Sequence, residues 1–193
     1  MARPKEYDED AVRARALLAF LRGGYDGTSV GDLEAATDLN RRSLYNAFGD
    51  KKALFLRALG DFQAAAGERY LAPLEGRAPG AAAVREVFAR LLAAADTEEG
   101  RLGCLVCNTA ASEAGADPDI KAQVARYFDR VERGFHRALS AARDDGALAP
   151  DADIQSLAQF YLGVLVSVCV MCRGQAPTAT LSGIVEEALR KLA

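Results

Sequence analysis

The chain has no tryptophan, one histidine, two methionines and four cysteines among 193 residues. The cysteines fall as two C-x-x-C pairs, Cys104/Cys107 and Cys169/Cys172. A disulfide scaffold is not expected from them, because small secreted domains carry cysteine more densely and follow a signal sequence. No apolar run reaches the length of a membrane span. The longest, Leu162 to Cys172, is too short and ends in Arg173. The polar opening "MARPKEYDED" has no apolar signal region behind it, so the expected location is cytoplasmic, with no membrane contact. Nucleotide hydrolysis finds no support, since no Gly-rich phosphate loop appears. No window alternates as a strand would, and no repeat of solenoid period is visible.

What is present reads as one or two ordinary globular domains: 50% apolar and 26% charged residues, with a formal charge of −3. The charge is unevenly spread. Residues 1–60 hold 10 Lys and Arg against 9 Asp and Glu, which leaves 14 against 18 for the rest. Within that first part, Arg41, Arg42, Lys51, Lys52 and Arg57 crowd together with one acid, Asp50. Such a cluster is either a solvated helix face or a footprint for a polyanion.

Helical periodicity dominates the chain. Val12, Ala16, Leu17, Phe20 and Leu21 form an amphipathic stripe over residues 8–22, ended by "GGYDG". Thr28 or Ser29 can cap a short second helix, with Ser29 and Asp32 as a capping-box variant. Asn40 can cap a third, from Arg41 to about Phe48, and a fourth starts near Lys51. "APLEGRAPG", Ala72 to Gly80, reads as a linker. Further helices are expected over 81–95, over "CLVCNTAASEAG", from Pro118 to about Arg143, over 153–173 and over 178–192. The fold class is all-α with about nine helices. It divides into a helix-turn-helix unit, residues 1–50, and a ligand-binding and dimerisation unit, residues 51–193.

Two short helices joined by a three- or four-residue turn match the DNA-binding helix-turn-helix. The second could present Asn40, Arg41, Arg42, Ser43 and Asn46 to a major groove. Leu39, Leu44, Ala47 and Phe48 would pack inward. Arg and Asn suit bidentate contacts to guanine and adenine edges. Tyr45 carries a hydroxyl on a rigid ring. Lys51 and Lys52 sit where helix-start N–H groups can clamp phosphate. Arg3 and Lys5 form either a basic arm or an unstructured terminus.

The stretch "GYDGTSVGDLEAATDLNRRSLYNAFGDKKALF" resembles the N-terminal domain of TetR-type transcriptional regulators, through Tyr25, Thr28-Ser29, Leu33, Leu44-Tyr45, Phe48 and Lys51. The resemblance implies phosphate contacts at Thr28, Tyr45 and Lys51. It implies base or adjoining phosphate contacts at Asn40, Arg41, Arg42 and Ser43. Asp38 stands where the family usually has Gly, and Asn46 where it often has His. Ser29 and Asn46 complete the expected DNA-binding set.

One short helix buries too little to specify a site, so a palindromic operator bound by a homodimer is expected, with half-sites about 34 Å apart or a multiple of that. The nearly all-apolar segment after Asp153 and the final helix, residues 151–192, are the expected seam. The middle helices would then enclose a pocket for a small-molecule inducer. Phe88, Leu92, Leu105, Tyr127, Phe128, Phe135, Phe160 and Tyr161 could line it, or serve as plain core. "GCLVCNTAASE" resembles a segment of electrophile-responsive TetR members. It places Cys104, and with it Cys107, as sensing residues, against the alternatives of inert core or a soft-metal ligand. Cys169 and Cys172 lie mid-helix and read as packing. A site shared by both pairs requires the two helices to touch. The other function class is an all-helical C-x-x-C thiol redox enzyme, but neither pair has a Glu or His close by in sequence as a relay. No catalytic residue, cofactor or metal is assigned.

Overall fold

The computed structural model describes residues 7–76 and 80–192, so Arg3, Lys5 and residues 77–79 of the expected linker lie outside the described residues. Among the described residues the chain forms nine helical rods and no strand. They are α1 (Glu9–Gly27), α2 (Val30–Thr37), α3 (Arg41–Phe48), α4 (Lys51–Ala66), α5 (Ala81–Ala95), α6 (Leu105–Ala110), α7 (Pro118–Asp144), α8 (Ile154–Arg173) and α9 (Thr178–Leu189).

Local chemistry sets each boundary. The Asp8 carboxylate accepts from Asp10 N and Ala11 N and starts α1. Val12, Ala16, Phe20 and Leu21 are its buried stripe. Gly24, at φ 70 and ψ 179, breaks the helix where the sequence has "GGYDG". Ser29 and Asp32 cap α2 as a reciprocal box. Asp38 ends it at φ 58 and ψ 27, a left-handed conformation that a short polar side chain tolerates. Asn40 caps α3 through Ser43 N at 2.9 Å, and Asp50 caps α4 through Ala53 N at 2.7 Å.

Two expectations about elements are corrected. The linker read from Ala72 begins as helix: α4 runs on through a π turn, Gly67–Leu71, into Ala72–Glu75. Pro73 is accepted there because it stands in a first turn, where no intrahelical N–H bond is lost. "CLVCNTAASEAG" is only partly α-helical. After Ala110 the chain tightens into a 3-10 turn, Glu113–Ala116, with the Ser112 hydroxyl donating to Thr109 O at 3.0 Å.

Phe20, Leu33, Leu44, Phe48, Leu54 and Phe55 are all buried and form the core of the N-terminal helices. Phe55 meets Phe20 and Tyr25 edge-on, each at 5.0 Å between ring centres. The first turns of α4 thus belong to that core, while its remainder lies along the larger body. In the body, Phe88, Phe135 and Tyr161 gather within 6.0 Å of one another, and the Tyr161 hydroxyl donates to Ala188 O at 2.9 Å, fastening α8 to α9.

Several polar ties join the N-terminal helices to the body. Lys52 Nζ reaches Asp117 at 2.8 Å and Asp119 at 2.6 Å. Ala114 N donates to Asp26 at 3.3 Å. The Arg173 guanidinium, at the end of α8, donates to Leu21 O, Arg22 O and Leu102 O, each at 3.0 Å. By length and composition α8 could cross a membrane, having 20 residues and a hydropathy of 1.7, which corrects the expectation that no such segment exists. Here it packs along α7 and α9 and leaves one side uncovered.

Candidate nucleic-acid interface and thiol-lined cavity

The eight residues of α3 span about 12 Å, close to the width of a B-DNA major groove. Arg41, Arg42 and Asn46 are exposed; Ser43, Tyr45 and Lys51 are half-buried. Arg41 lies 5.4 Å over the Tyr45 ring, and Lys51 lies 4.4 Å over the Tyr25 ring. Among the described residues no carboxylate comes within ion-pair distance of Arg41, Arg42 or Lys51, while Arg13, Lys52, Arg69 and Arg130 all have such partners. Arg41 and Lys51 are therefore held against aromatic faces, and they and Arg42 remain available to an external anion.

Other expected contact residues are already engaged. Thr28 is only 2% exposed, and its hydroxyl donates to Gly24 O at 2.6 Å, across the break in α1. Ser29 uses both its N–H and its hydroxyl on Asp32, each at 2.7 Å, and these bonds hold the Asp32 carboxyl below its usual range. Asn40 is exposed, but its side-chain oxygen caps α3. Lys52, grouped by sequence with Lys51 as a phosphate clamp, is turned to Asp117 and Asp119 instead.

Behind these helices lies a largely apolar cavity of about 470 Å³. Of the eight expected liners only Tyr127 borders it. Phe88, Phe135 and Tyr161 are spent on one another, Leu105 is fully buried core, and Phe160 is turned outward. The wall instead uses Leu17, Leu18 and Leu21 of α1, Phe62 and Ala66 of α4, and Cys104, Cys169 and Cys172. The signal for α1 was present in the sequence. Leu17 and Leu18 widen its apolar stripe beyond what the small N-terminal core needs.

The two C-x-x-C pairs do meet. The sulfurs of Cys104, Cys107 and Cys169 all lie within 4.8 Å of one another, and all three residues are buried. Gly103 makes this approach possible. Its φ is +73, and a Cβ there would stand 3.0 Å from both Cys169 O and Arg173 Cβ. Cys104 sits just before α6 rather than in its first turn. Thiol hydrogen bonds from Cys107 and Cys169 draw Cys104 well below the usual thiol range, whereas the same bonds push Cys107 and Cys169 up.

A helix-turn-helix with cations unpaired by carboxylates, set on an all-helical body, defines the class of DNA-binding regulators. Residues 13–58 match the profile of the bacterial regulatory proteins of the tetR family, and residues 80–186 that of the tetracyclin repressor-like C-terminal domain. The chain belongs to the TetR family of DNA-binding transcriptional regulators, which are not enzymes. The thiol-enzyme alternative is thereby set aside. YezE of Bacillus subtilis (strain 168), an uncharacterized HTH-type transcriptional regulator, is 32% identical to it over 100% of both chains. The HTH-type transcriptional repressor ComR of Escherichia coli (strain K12) is 28% identical over 97% of this chain and 90% of its own. Among solved structures, a cysteine-substituted CifR complexed with 26-bp double-strand operator DNA superposes with a TM-score of 0.89 and 30% identity, covering 100% of both chains.

Proposed function

We propose that this chain is a cytoplasmic homodimeric repressor that binds a palindromic double-stranded operator through α3. A small molecule in the cavity, or modification of Cys104 and Cys107, then releases it. The supporting observation is the pair of exposed guanidinium groups at the start of α3, Arg41 and Arg42, which have no carboxylate within ion-pair distance among the described residues, with Arg41 lying over the Tyr45 ring. The DNA complex of CifR and the repressor name of ComR support the same direction.

The DNA-contacting residues of this proposal are Asn40, Arg41, Arg42, Ser43, Tyr45, Asn46 and Lys51, with Thr28 and Ser29 confined to shaping the start of α2. The division near residue 50 belongs to the same proposal, with α4 as the rod that both units share. Dimerisation uses residues 151–192. On α8, Gln159, Leu162, Gly163, Val166 and Val170 follow one helical stripe, and Phe160 and Val170 are 41% and 47% exposed. The cavity has the size of a site for a small apolar ligand, and its wall includes α1, so an occupant would press directly on the DNA-binding helices.

Selection of bound fragments from random duplex DNA, followed by affinity measurement across salt, tests this proposal. One palindromic sequence and a steep fall of log affinity with log salt are expected. Weak binding that ignores sequence would overturn it.

A further inference from the structure

The three converging thiols are more than the proposed regulation requires, and their arrangement carries a binding site of its own. Two come from the start of α6, Cys104 and Cys107, and one from α8, Cys169, 65 positions beyond Cys104. Three sulfurs around one ion at about 2.3 Å each stand about 3.5 Å apart on a pyramidal trivalent centre and about 4 Å apart on a planar one, and these already lie within 4.8 Å of one another. Closing on an ion would need only small side-chain adjustments. Access runs through the cavity, whose wall includes Cys104 and Cys169, since the outer groove that Cys107 borders belongs to the face of α8 proposed for the dimer seam.

We propose that Cys104, Cys107 and Cys169 form a three-thiolate site for one soft, thiophilic ion, and that trivalent arsenic matches it best. Charge decides among the soft ions. Three thiolates leave a net −2 around a monovalent ion, −1 around a divalent one and zero around a trivalent one. In an apolar wall, where net charge is costly to bury, the neutral product is favoured. The step balances without any oxidant. Arsenous acid, As(OH)3, loses its three As–O bonds and gains three As–S bonds. Each thiol proton leaves with a hydroxyl as water, and arsenic stays trivalent. A zinc site prefers four ligands, and the thiol available as a fourth is Cys172, one helical turn beyond Cys169 on the same cavity wall.

The test is intact-mass spectrometry of the native protein with arsenite and, separately, with zinc, requiring no DNA and so independent of the regulatory proposal. One arsenic per chain with loss of three hydrogens is expected for wild type and for Cys172→Ala. That adduct should be lost in Cys104→Ala, Cys107→Ala and Cys169→Ala. The hydrogen count in wild type decides the matter even if one of these variants fails to fold. A hydroxyl-retaining adduct on two thiols, an arsenic adduct that survives in the three variants, or stoichiometric zinc that depends on Cys172 in place of arsenic would each overturn the site.

Discussion

At the scale of single residues, the surface proposed to face DNA depends on what each polar group is already bonded to. Glu34 accepts from the Arg41 backbone N–H, but among the described residues neither guanidinium, of Arg41 or of Arg42, has a carboxylate within ion-pair distance, so both side chains can turn their donors to DNA. Arg41→Ala or Arg42→Ala should cost about 1–3 kcal/mol on the operator and relax preference at one base pair if the side chain reads a base. Equal loss on random duplex, with the salt slope reduced by about one, identifies a phosphate contact instead. Lys52 shows the opposite state. Asp117 and Asp119 raise its pKa, and Lys52 holds the Asp117 carboxyl below its usual range. A depressed carboxyl stabilises the fold above its unfolded pKa of about 4, and that contribution disappears as pH falls through the lower folded value. Thermal melts of Asp117→Asn should therefore match wild type below that window and fall short of it at neutral pH. The sequence showed that cations cluster near Tyr45. It could not show which of the two adjacent lysines would be neutralised, because the partners lie at least 65 residues away at the start of α7.

At the scale of elements, the short helices are legible because their boundaries are written in local chemistry. Ser29, Asp38, Asn40 and Asp50 each stop or start a helix through bonds reaching only a few residues. Such signals survive in a single sequence. Longer-range features do not. The π turn at Gly67–Leu71 and the helical Ala72–Glu75 depend on packing against the body, and the composition of that stretch suggested a linker. The cavity wall was misassigned for the same reason, since periodicity shows which face of a helix is apolar but not which helix it meets. Phe55 illustrates how α4 serves two cores. It is fully buried between Phe20 and Tyr25, so Phe55→Ala should destabilise by about 3–5 kcal/mol. The N-terminal helices should lose cooperative melting first, which hydrogen exchange resolved by segment would detect; uniform loss across the body would contradict this.

At the scale of the whole molecule, α8 works on both of its sides. Its inner side carries Cys169 and Tyr161, and its outer side carries the apolar stripe from Gln159 to Val170. In the dimer proposed above, a charge placed on that outer stripe should separate protomers without disturbing the core. Val170→Glu is expected to sediment as a monomer that melts like wild type and binds operator much more weakly; an unaltered sedimentation profile would remove α8 from the dimer seam. The same helix ends at Arg173, whose one guanidinium gathers carbonyls from the end of α1 and from the loop before Cys104. Gly103 completes that junction by having no side chain to hold the loop away from α8. It follows that four cysteines at this spacing are not enough to make the cluster in another protein. Transplanting them without a residue that can pass so near the helix backbone would give thiols that never meet. Methylating this one α-carbon, by Gly103→Ala, should strain the loop at φ +73 and push it back from Cys169 and Arg173, which intact-mass spectrometry would register as reduced arsenic uptake.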